Sequence, residues 1–325
     1  MNRRRLLFAT PALLAAPVVA RAQAPAPWPN RPIRMIIPWP PGQATDLIGR
    51  LIAQQLGERL GQTVVPENRP GAGGQIGTDL VAKAPPDGYT LLSASGGPIT
   101  FAPLVQRTPY DPERDLAPVI AFGIAPYLLV VRRNFPAADA RAFVALLRAS
   151  PGKYSFASSG TGGSQHLITA VFNARAGVET LHVPFQGSGA AMAALLNGTV
   201  DYAIETPAGA GALVRQGELR ALGQTLPRPT VLLPGVPPLA ESAGLPGYGI
   251  GGWNGLMAPA ATPKPVLDRL VAVMEQALAT PMVRERLAQI GLEPEARGPA
   301  AFTALLHEQR NLLQPLIQQL GIRAE

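Results

Sequence analysis

Short apolar runs alternate with helical patterns along most of this chain, and this alternation restricts its fold more than any other feature. The run IRMII (33–37) is almost continuously apolar, as in a parallel strand that is buried on both faces. The next segment, DLIGRLIAQQLGERL (46–60), carries leucines and isoleucines at helical spacing and is followed by Gly61, a residue typical of helix ends. The alternation predicts an α/β fold built on parallel sheets.

The alternation occurs in two successive series, and a helical C-terminus follows them. Strand candidates of the first series are IRMII, TVVPEN and YTLLSAS, and those of the second are YLLVVRR, YSFASSG, ETLHVPF and VDYAIET. GWNGLMAP is a further strand candidate, and two helical segments follow it. A chain of 325 residues, 47% of them hydrophobic, can form two separate cores. We therefore predict two α/β domains.

Residues 1–22 have the features of a secretory signal peptide. A basic start precedes an apolar stretch from Leu6 to Val19, and an A-x-A cleavage site ends at Ala22. Cleavage after Ala22 removes four arginines and takes the formal charge from +7 to about +3. The RRRLL segment also fits twin-arginine export, so the sequence leaves both the Sec and the twin-arginine route open.

Composition excludes several classes of function. After cleavage the chain keeps no stripe of Lys and Arg between aromatic residues, so we expect no nucleic-acid partner. The chain has no cysteine, which excludes thiol catalysis and cysteine-ligated metal centres. Its three histidines lack the usual metal-ligand spacings, and GAGGQIG (71–77) misses the dinucleotide fingerprint by one residue. We therefore expect neither a metal nor a cofactor.

Three loops rich in small residues follow strand candidates: PWPPGQATD (38–46), SASGGPIT (93–100) and ASSGTGGSQH (157–166). Open α/β sheets bind ligands at the carboxyl ends of their strands, where such loops lie. The first and third loops lead into predicted helices, whose free N–H groups favour an anion. Thr45, Asp46 and Ser164 could equally be helix caps, and the glycines could be turn residues, so the residues alone leave both interpretations open.

Two further interpretations stay open at this point. Ser158 or Ser159 with His166 could form a hydrolase site, although no G-x-S-x-G elbow and no orienting acid is visible. His182 lies in an apolar strand candidate, where a structural role is expected. Trp253 could line a cleft or fill a core.

Eight segments match, in order, the signatures of one family. They are RPIRMIIPWPPGQATD, PENRPGAGGQIG, VAKAPPDGYTLL, YDPERDLAPV, YSFASSGTGGSQH, HVPFQG, LPGVPPLAESAGLPGY and WNGLMAPAATPKP. Together they span essentially the whole chain after the signal peptide. The sequence resembles the Bug-type extracytoplasmic solute receptors of tripartite tricarboxylate transporters.

The resemblance implies a periplasmic-binding-protein fold (type II, Venus-flytrap), with two α/β domains and a ligand cleft between them. Residues 23–125 and 226–325 would form domain 1 and residues 126–225 domain 2, with hinges near 121–126 and 222–226. It implies a periplasmic, monomeric receptor, not an enzyme, which captures a small organic anion or amino-acid-like ligand and delivers it to membrane permease subunits. A receptor of the same fold that signals to a membrane sensor kinase remains open.

The resemblance also assigns ligand-binding positions, which are Pro41, Gly42, Gln43, Ala44, Thr45, Asp46, Ser93, Ser95, Ser158, Ser159, Gly160, Thr161, Gly162, Gly163, Ser164, His166 and Glu205. The sequence departs from the family pattern in two places. Gln43 and Ala44 replace two glycines, and we expect ligand specificity to reside there. Glu205 with Thr206 replaces Asp-Asn. In the cleft Glu205, unless protonated or paired, would repel a second carboxylate and favour an amine or hydroxyl on the ligand; otherwise it would be a rim residue paired with an arginine.

Overall fold

The computed structural model describes residues 28–319 and residue 321, so the predicted signal peptide lies outside the described residues. Eleven strands fall within the described part: β1 Ile33–Ile37, β2 Val64–Asn68, β3 Thr90–Ser95, β4 Leu116–Ala125, β5 Leu128–Arg132, β6 Ser155–Ser158, β7 Leu181–Pro184, β8 Tyr202–Glu205, β9 Leu219–Gln224, β10 Gly252–Pro259 and β11 Glu293–Arg297.

Twelve α-helices lie between and after these strands in the same part of the chain: α1 Ala44–Leu60, α2 Gln75–Ala82, α3 Ala102–Val105, α4 Pro112–Asp115, α5 Ala140–Arg148, α6 Ser164–Ala176, α7 Ser188–Leu196, α8 Pro207–Arg215, α9 Leu239–Ser242, α10 Lys264–Ala279, α11 Pro281–Ile290 and α12 Pro299–Gln319. None of the described helices is both long enough and apolar enough to span a membrane.

The strands form two mixed sheets, which confirms the predicted two-domain α/β fold class. The first sheet has the order β11-β4-β10-β3-β1-β2 and the second the order β7-β6-β8-β5-β9. We call each sheet with its helices a lobe. β1 pairs in parallel with β2 and β3, and β6 with β7 and β8.

The prediction of wholly parallel sheets is wrong. β10 runs antiparallel to β3 and β4, β11 runs antiparallel to β4, and β5 runs antiparallel to β8 and β9. β5 and β10 are the first strands after the chain passes from one lobe to the other. They begin beside the cleft, where β1, β6 and β8 end, and therefore run in the opposite direction.

The passages between the lobes are hydrogen-bonded to each other. The Tyr127 amide donates to the Thr225 hydroxyl (3.0 Å), and the Thr225 amide donates to the Tyr127 carbonyl (3.0 Å). All strands of the first sheet lie within residues 33–125 and 252–297, and those of the second within 128–224. This distribution supports the domain boundaries at 125/126 and 225/226, which we retain as a proposal together with the two hinges.

Each lobe has its own apolar core, and helix α12 contacts both. In the first lobe, β1 is buried at four of its five positions and packs with α1 and α10. Phe302, near the start of α12, packs on Trp253 of the first lobe, with ring centroids 5.0 Å apart. Leu313 and Ile317, near its end, belong to the core cluster of the second lobe.

Candidate functional site

A cavity lies between the lobes, where β1, β6 and β8 end. Its lining comes from loops and helix starts of both lobes: Trp39, Gln43, Ala44, Thr45, Ile48, Ser95, Ala125, Trp253, Asn254, Ile290, Gly291 and Leu292 from the first, and Tyr127, Ser164, Gln165, Ser188, Thr206 and Pro207 from the second. We call it the central cavity. Within this cavity, the centre of a water molecule can occupy a volume of about 30 Å³. This is space for about two waters.

Two outer recesses lie next to the central cavity, also between the lobes. One is bounded by residues 70–74 of the first lobe and by 159–161 and 184–187 of the second. The other is bounded by residues 40–43 of the first lobe and 186–190 of the second. Gly73 of the GAGGQIG segment lies at the contact between the lobes, because a Cβ on it would lie 2.6 Å from the Thr161 carbonyl oxygen.

The first loop is held in place by Asp46. This side chain is 2% exposed and accepts hydrogen bonds from the Gly42 amide (2.9 Å), Arg50 Nε (2.9 Å) and Asn68 Nδ2 (2.8 Å). Asn68 Nδ2 also donates to the Trp39 carbonyl at 2.9 Å. Asp46 does not line the central cavity, so it positions the loop around the first turn of α1.

Side chains of the first loop meet residues of the neighbouring strands. Trp39 Nε1 donates to Ser95 Oγ (2.9 Å), and Asn254 Nδ2 donates to Thr45 Oγ1 (3.0 Å). Gln43 reaches across the cleft, because its Nε2 atom would lie 2.9 Å from a Cβ on Gly187 of the second lobe. That Nε2 is buried and has no hydrogen-bond partner among the described residues, which makes it a free donor at the cavity wall.

The second loop contains a serine–histidine contact that differs from the one considered from the sequence. Ser158 Oγ lies 2.7 Å from Nε2 of His182, while His166 Nδ1 accepts the Gly162 amide (3.1 Å). The two imidazoles are stacked with centroids 3.9 Å apart. Burial lowers the pKa of His166 to about 4, and burial together with the neighbouring imidazole lowers that of His182 to about 3. Both rings are therefore neutral near pH 7.

Glu205 lies behind the central cavity and is 1% exposed. Its Oε1 accepts from the Thr206 amide (2.7 Å), the Thr206 hydroxyl (2.9 Å) and Gln165 Nε2 (3.1 Å). Burial raises its pKa, and these hydrogen bonds act in the opposite direction. Burial, with an added contribution from the Glu205 charge, raises the pKa of Tyr127 in the cavity wall to about 12. No arginine or lysine pairs with Glu205 within the described residues.

Four helices begin at the central cavity, and three of them lack a side-chain cap. The N-cap residues of α1, α6 and α7 are Gln43, Gly163 and Gly187, and none forms a capping hydrogen bond. In contrast, α8 is capped by Thr206, whose hydroxyl accepts from the Gly209 amide at 3.1 Å. Free N–H groups at helix starts carry partial positive charge.

No lysine, arginine, histidine or acidic residue lines the central cavity as described here. An anion in this cavity would therefore be held by backbone N–H groups, hydroxyls and side-chain amides rather than by an ion pair. Within residues 28–319 no group of three or more His, Asp or Glu side chains could hold a metal ion.

The structure divides the seventeen predicted site residues into three groups. Five line the central cavity: Gln43, Ala44, Thr45, Ser95 and Ser164. Five line the outer recesses: Pro41, Gly42, Ser159, Gly160 and Thr161. Seven line none of these spaces and lie behind them: Asp46, Ser93, Ser158, Gly162, Gly163, His166 and Glu205. Ligand contact by any of them stays a prediction.

Several cavity residues were not among the predicted ligand-binding positions. Ser188 follows the strand ETLHVPF and a glycine, and Thr206-Pro207 follows YAIE with a helix-start signal, so both could have been found. Trp253 lines the cavity and also fills the core, since it is 1% exposed. Residues 290–292 come from the C-terminal region, where no loop motif indicates a site.

Comparison with known proteins gives consistent matches. The family model for the tripartite tricarboxylate transporter family receptor matches residues 48–322. A UPF0065 protein in the tcbD-tcbE intergenic region of a Pseudomonas species is 40% identical over 324 residues, covering 100% of this chain and 96% of that protein.

Solved structures match over nearly the same length. A structure of R. palustris Rpa4515 with adipate has a TM-score of 0.86 and 32% identity, and the match covers 91% of this chain and 99% of that one. The periplasmic binding protein BugD has a TM-score of 0.85 and 32% identity, with 92% and 100% covered.

Proposed function

The chain belongs to the tripartite tricarboxylate transporter receptor family, and we propose that it binds a small carboxylate-bearing solute in the central cavity and delivers it to a membrane permease. Proteins of this family are periplasmic solute receptors. We further propose that this chain is exported by the signal peptide in residues 1–22, with cleavage after Ala22, and acts as a monomer.

One observation carries the carboxylate assignment. Three helices begin at the central cavity without a side-chain cap, so their first-turn N–H groups have no side-chain acceptor at the place where a solute would bind. A carboxylate satisfies such groups and gains from the helix dipoles. The hydroxyls of Thr45, Ser95 and Ser164 add donors around it. The similarity to Rpa4515, whose structure contains adipate, supports the same ligand chemistry.

The small volume of the central cavity supports a closing mechanism. Space for about two waters cannot admit a solute of several carbon atoms. Entry therefore requires the lobes to separate about the passages at Tyr127 and Thr225, and closure follows when the ligand contacts both lobes.

We infer that the protein is a receptor without catalytic activity. Ser158 is 1% exposed and does not line the central cavity. Its partner His182 contacts no carboxylate among the described residues that could orient it. A serine nucleophile needs an accessible hydroxyl and an oriented base, and neither condition is met.

A thermal-shift panel tests the proposed function. The purified protein without its signal peptide is incubated with carboxylates, amino acids and aromatic acids, each also supplied as the neutral amide. A ligand at one hundred times its Kd adds about 2.7 kcal/mol to the free energy of unfolding. We expect acids to raise the melting temperature and their amides to have little effect. Stabilisation by no acid, or equally by the amides, would refute the carboxylate assignment.

A further inference from the structure

A second and larger cavity lies under helix α12, outside the cleft. It is bounded by residues between 99 and 118 of the first lobe and by α12 at residues 303, 306, 307 and 310. We call it the α12 cavity. Its volume is about 430 Å³, which is typical of small-molecule sites, whereas that of the central cavity is about 30 Å³. The two cavities share no lining residue, so the α12 cavity is a separate space.

The interior of the α12 cavity presents apolar surface. Three leucines, three prolines and Ile99 line it. Its hydroxyl groups are already bonded to other groups of the protein. Those of Thr108, Tyr110 and Thr303 donate to main-chain carbonyls at 2.6, 2.7 and 2.9 Å, and that of Thr100 accepts from an indole N–H at 3.2 Å. Water in this interior finds few partners, so an apolar group of a ligand replaces it favourably.

The charged side chains of the α12 cavity leave one arginine without a partner. Glu113 is paired with Arg310 of α12, and His307 Nε2 lies 3.8 Å from the same carboxylate. The Asp111 carboxylate accepts two main-chain amides of α4, at 3.0 and 3.3 Å, since it caps that helix. Arg107 is exposed and forms no ion pair or side-chain hydrogen bond among the described residues. Its guanidinium is therefore available to the carboxylate of a ligand.

We propose that the α12 cavity is a second ligand site, which binds an organic monoacid with a long apolar body. The carboxylate would bind at Arg107 and the body would occupy the apolar interior. Because the lining residues all lie in the first lobe and in the first half of α12, binding there does not need the lobes to come together. The site is distinct from the solute site of the proposed function and does not depend on it.

Titration calorimetry with octanoate tests this inference on the wild type and on two variants of the α12 cavity. Arg107→Gln removes the free charge and should weaken octanoate binding at this site about three- to tenfold. Leu306→Trp fills part of the interior and should weaken it at least tenfold, because the apolar body loses its space. Octanamide, which has the same body without the charge, should bind the wild type more weakly than octanoate does.

Arg269→Gln is the matched control for Arg107→Gln. Arg269 is an exposed arginine of α10 in the same lobe and does not line the α12 cavity, so its variant should bind octanoate as the wild type does. Arg107→Gln changes an exposed side chain, so the question is decided even if Leu306→Trp does not fold.

The position of the ligand is determined in crystals grown with saturating octanoate that carries bromine on its last carbon. The anomalous signal of bromine should lie between α12 and residues 99–118. The inference is overturned if octanoate does not bind, if bromine is absent from the α12 cavity, or if Arg107→Gln binds octanoate as tightly as the wild type. Bromine in the central cavity alone would overturn this inference and leave the proposed function intact.

Discussion

Replacing Gly73 with alanine should weaken ligand binding, because Gly73 lies where the first lobe touches the second. Its φ is +63°, and a Cβ there would lie 2.6 Å from the Thr161 carbonyl oxygen and 3.3 Å from the Gly163 amide nitrogen. Real Cβ atoms essentially never approach another atom within 3.0 Å, so the lobes would have to separate by about 0.4 Å or more. Such overpacking typically costs about 1–3 kcal/mol.

This cost applies only when the lobes are in contact. Raising the free energy of the closed state by about 1–3 kcal/mol weakens apparent affinity by about 5- to 150-fold. The assay is titration calorimetry with the acid that stabilises the wild type most, together with urea unfolding of the free protein.

Gly61→Ala is the matched control for Gly73→Ala. Gly61 ends α1 with φ +68°, nearly the same as Gly73, but a Cβ there meets nothing within 4 Å. Both variants should lose about 1 kcal/mol of unfolding free energy through left-handed backbone strain. Only Gly73→Ala should lose affinity. If Gly73→Ala binds as tightly as the wild type, or if Gly61→Ala loses as much affinity, contact between the lobes at Gly73 does not control closure.

Three further predictions concern stability. Thr206→Val removes the hydroxyl that caps α8 at the Gly209 amide, and urea unfolding should show a loss of about 1–2 kcal/mol. Asp46→Asn replaces a buried carboxylate that accepts three hydrogen bonds, so it should lower the free energy of unfolding by about 2 kcal/mol. It should also lower ligand affinity, because Asp46 holds the first loop. Unchanged affinity would show that the conformation of the loop does not depend on Asp46. His166 and His182 stay neutral in the folded state, whereas histidines of the unfolded chain take up protons below about pH 6.5. The free energy of unfolding should therefore fall as the pH drops from about 6.5 towards 4. The slope should be up to about 1.4 kcal/mol per pH unit for each ring. His182→Gln should make this pH dependence shallower. A slope equal to that of the wild type would contradict the lowered pKa of His182.

Elements with strong periodicity could be predicted from the sequence, and polar or interrupted ones could not. β1 and α1 have unbroken apolar patterns, and both were predicted closely. β11 (EPEAR) lacks the alternation of apolar and polar residues that is typical of a half-buried strand, because it is a partly exposed edge strand of the first sheet. β4 contains Pro118 and Gly123, which normally argue against a strand interior.

The structure explains both exceptions in β4. Pro118 lies at a register shift opposite Met257, where a ladder hydrogen bond is not required. Gly123 is needed because a Cβ there would lie 2.0 Å from the Glu293 carbonyl oxygen of β11. Such constraints come from the neighbouring strand, so the local sequence cannot reveal them.

The candidate site could be predicted in part. Loops that follow buried strands indicated the starts of α1 and α6, because that location depends only on strand–helix order. Whether a residue faces the cavity or supports it depends on tertiary contacts: Asp46 and Glu205 turn inward to bond other residues, while Gln43 reaches the second lobe. The wall at residues 290–292 comes from a distant part of the chain.

The tight central cavity has a consequence for kinetics. A solute that contacts both lobes in the central cavity leaves only when the lobes part. If the proposed hinges lie at the passages near Tyr127 and Thr225, its residence time is set by how often the lobes separate about them, more than by the strength of any one contact. A permease that grips both lobes and holds them apart would release the solute without competing for it.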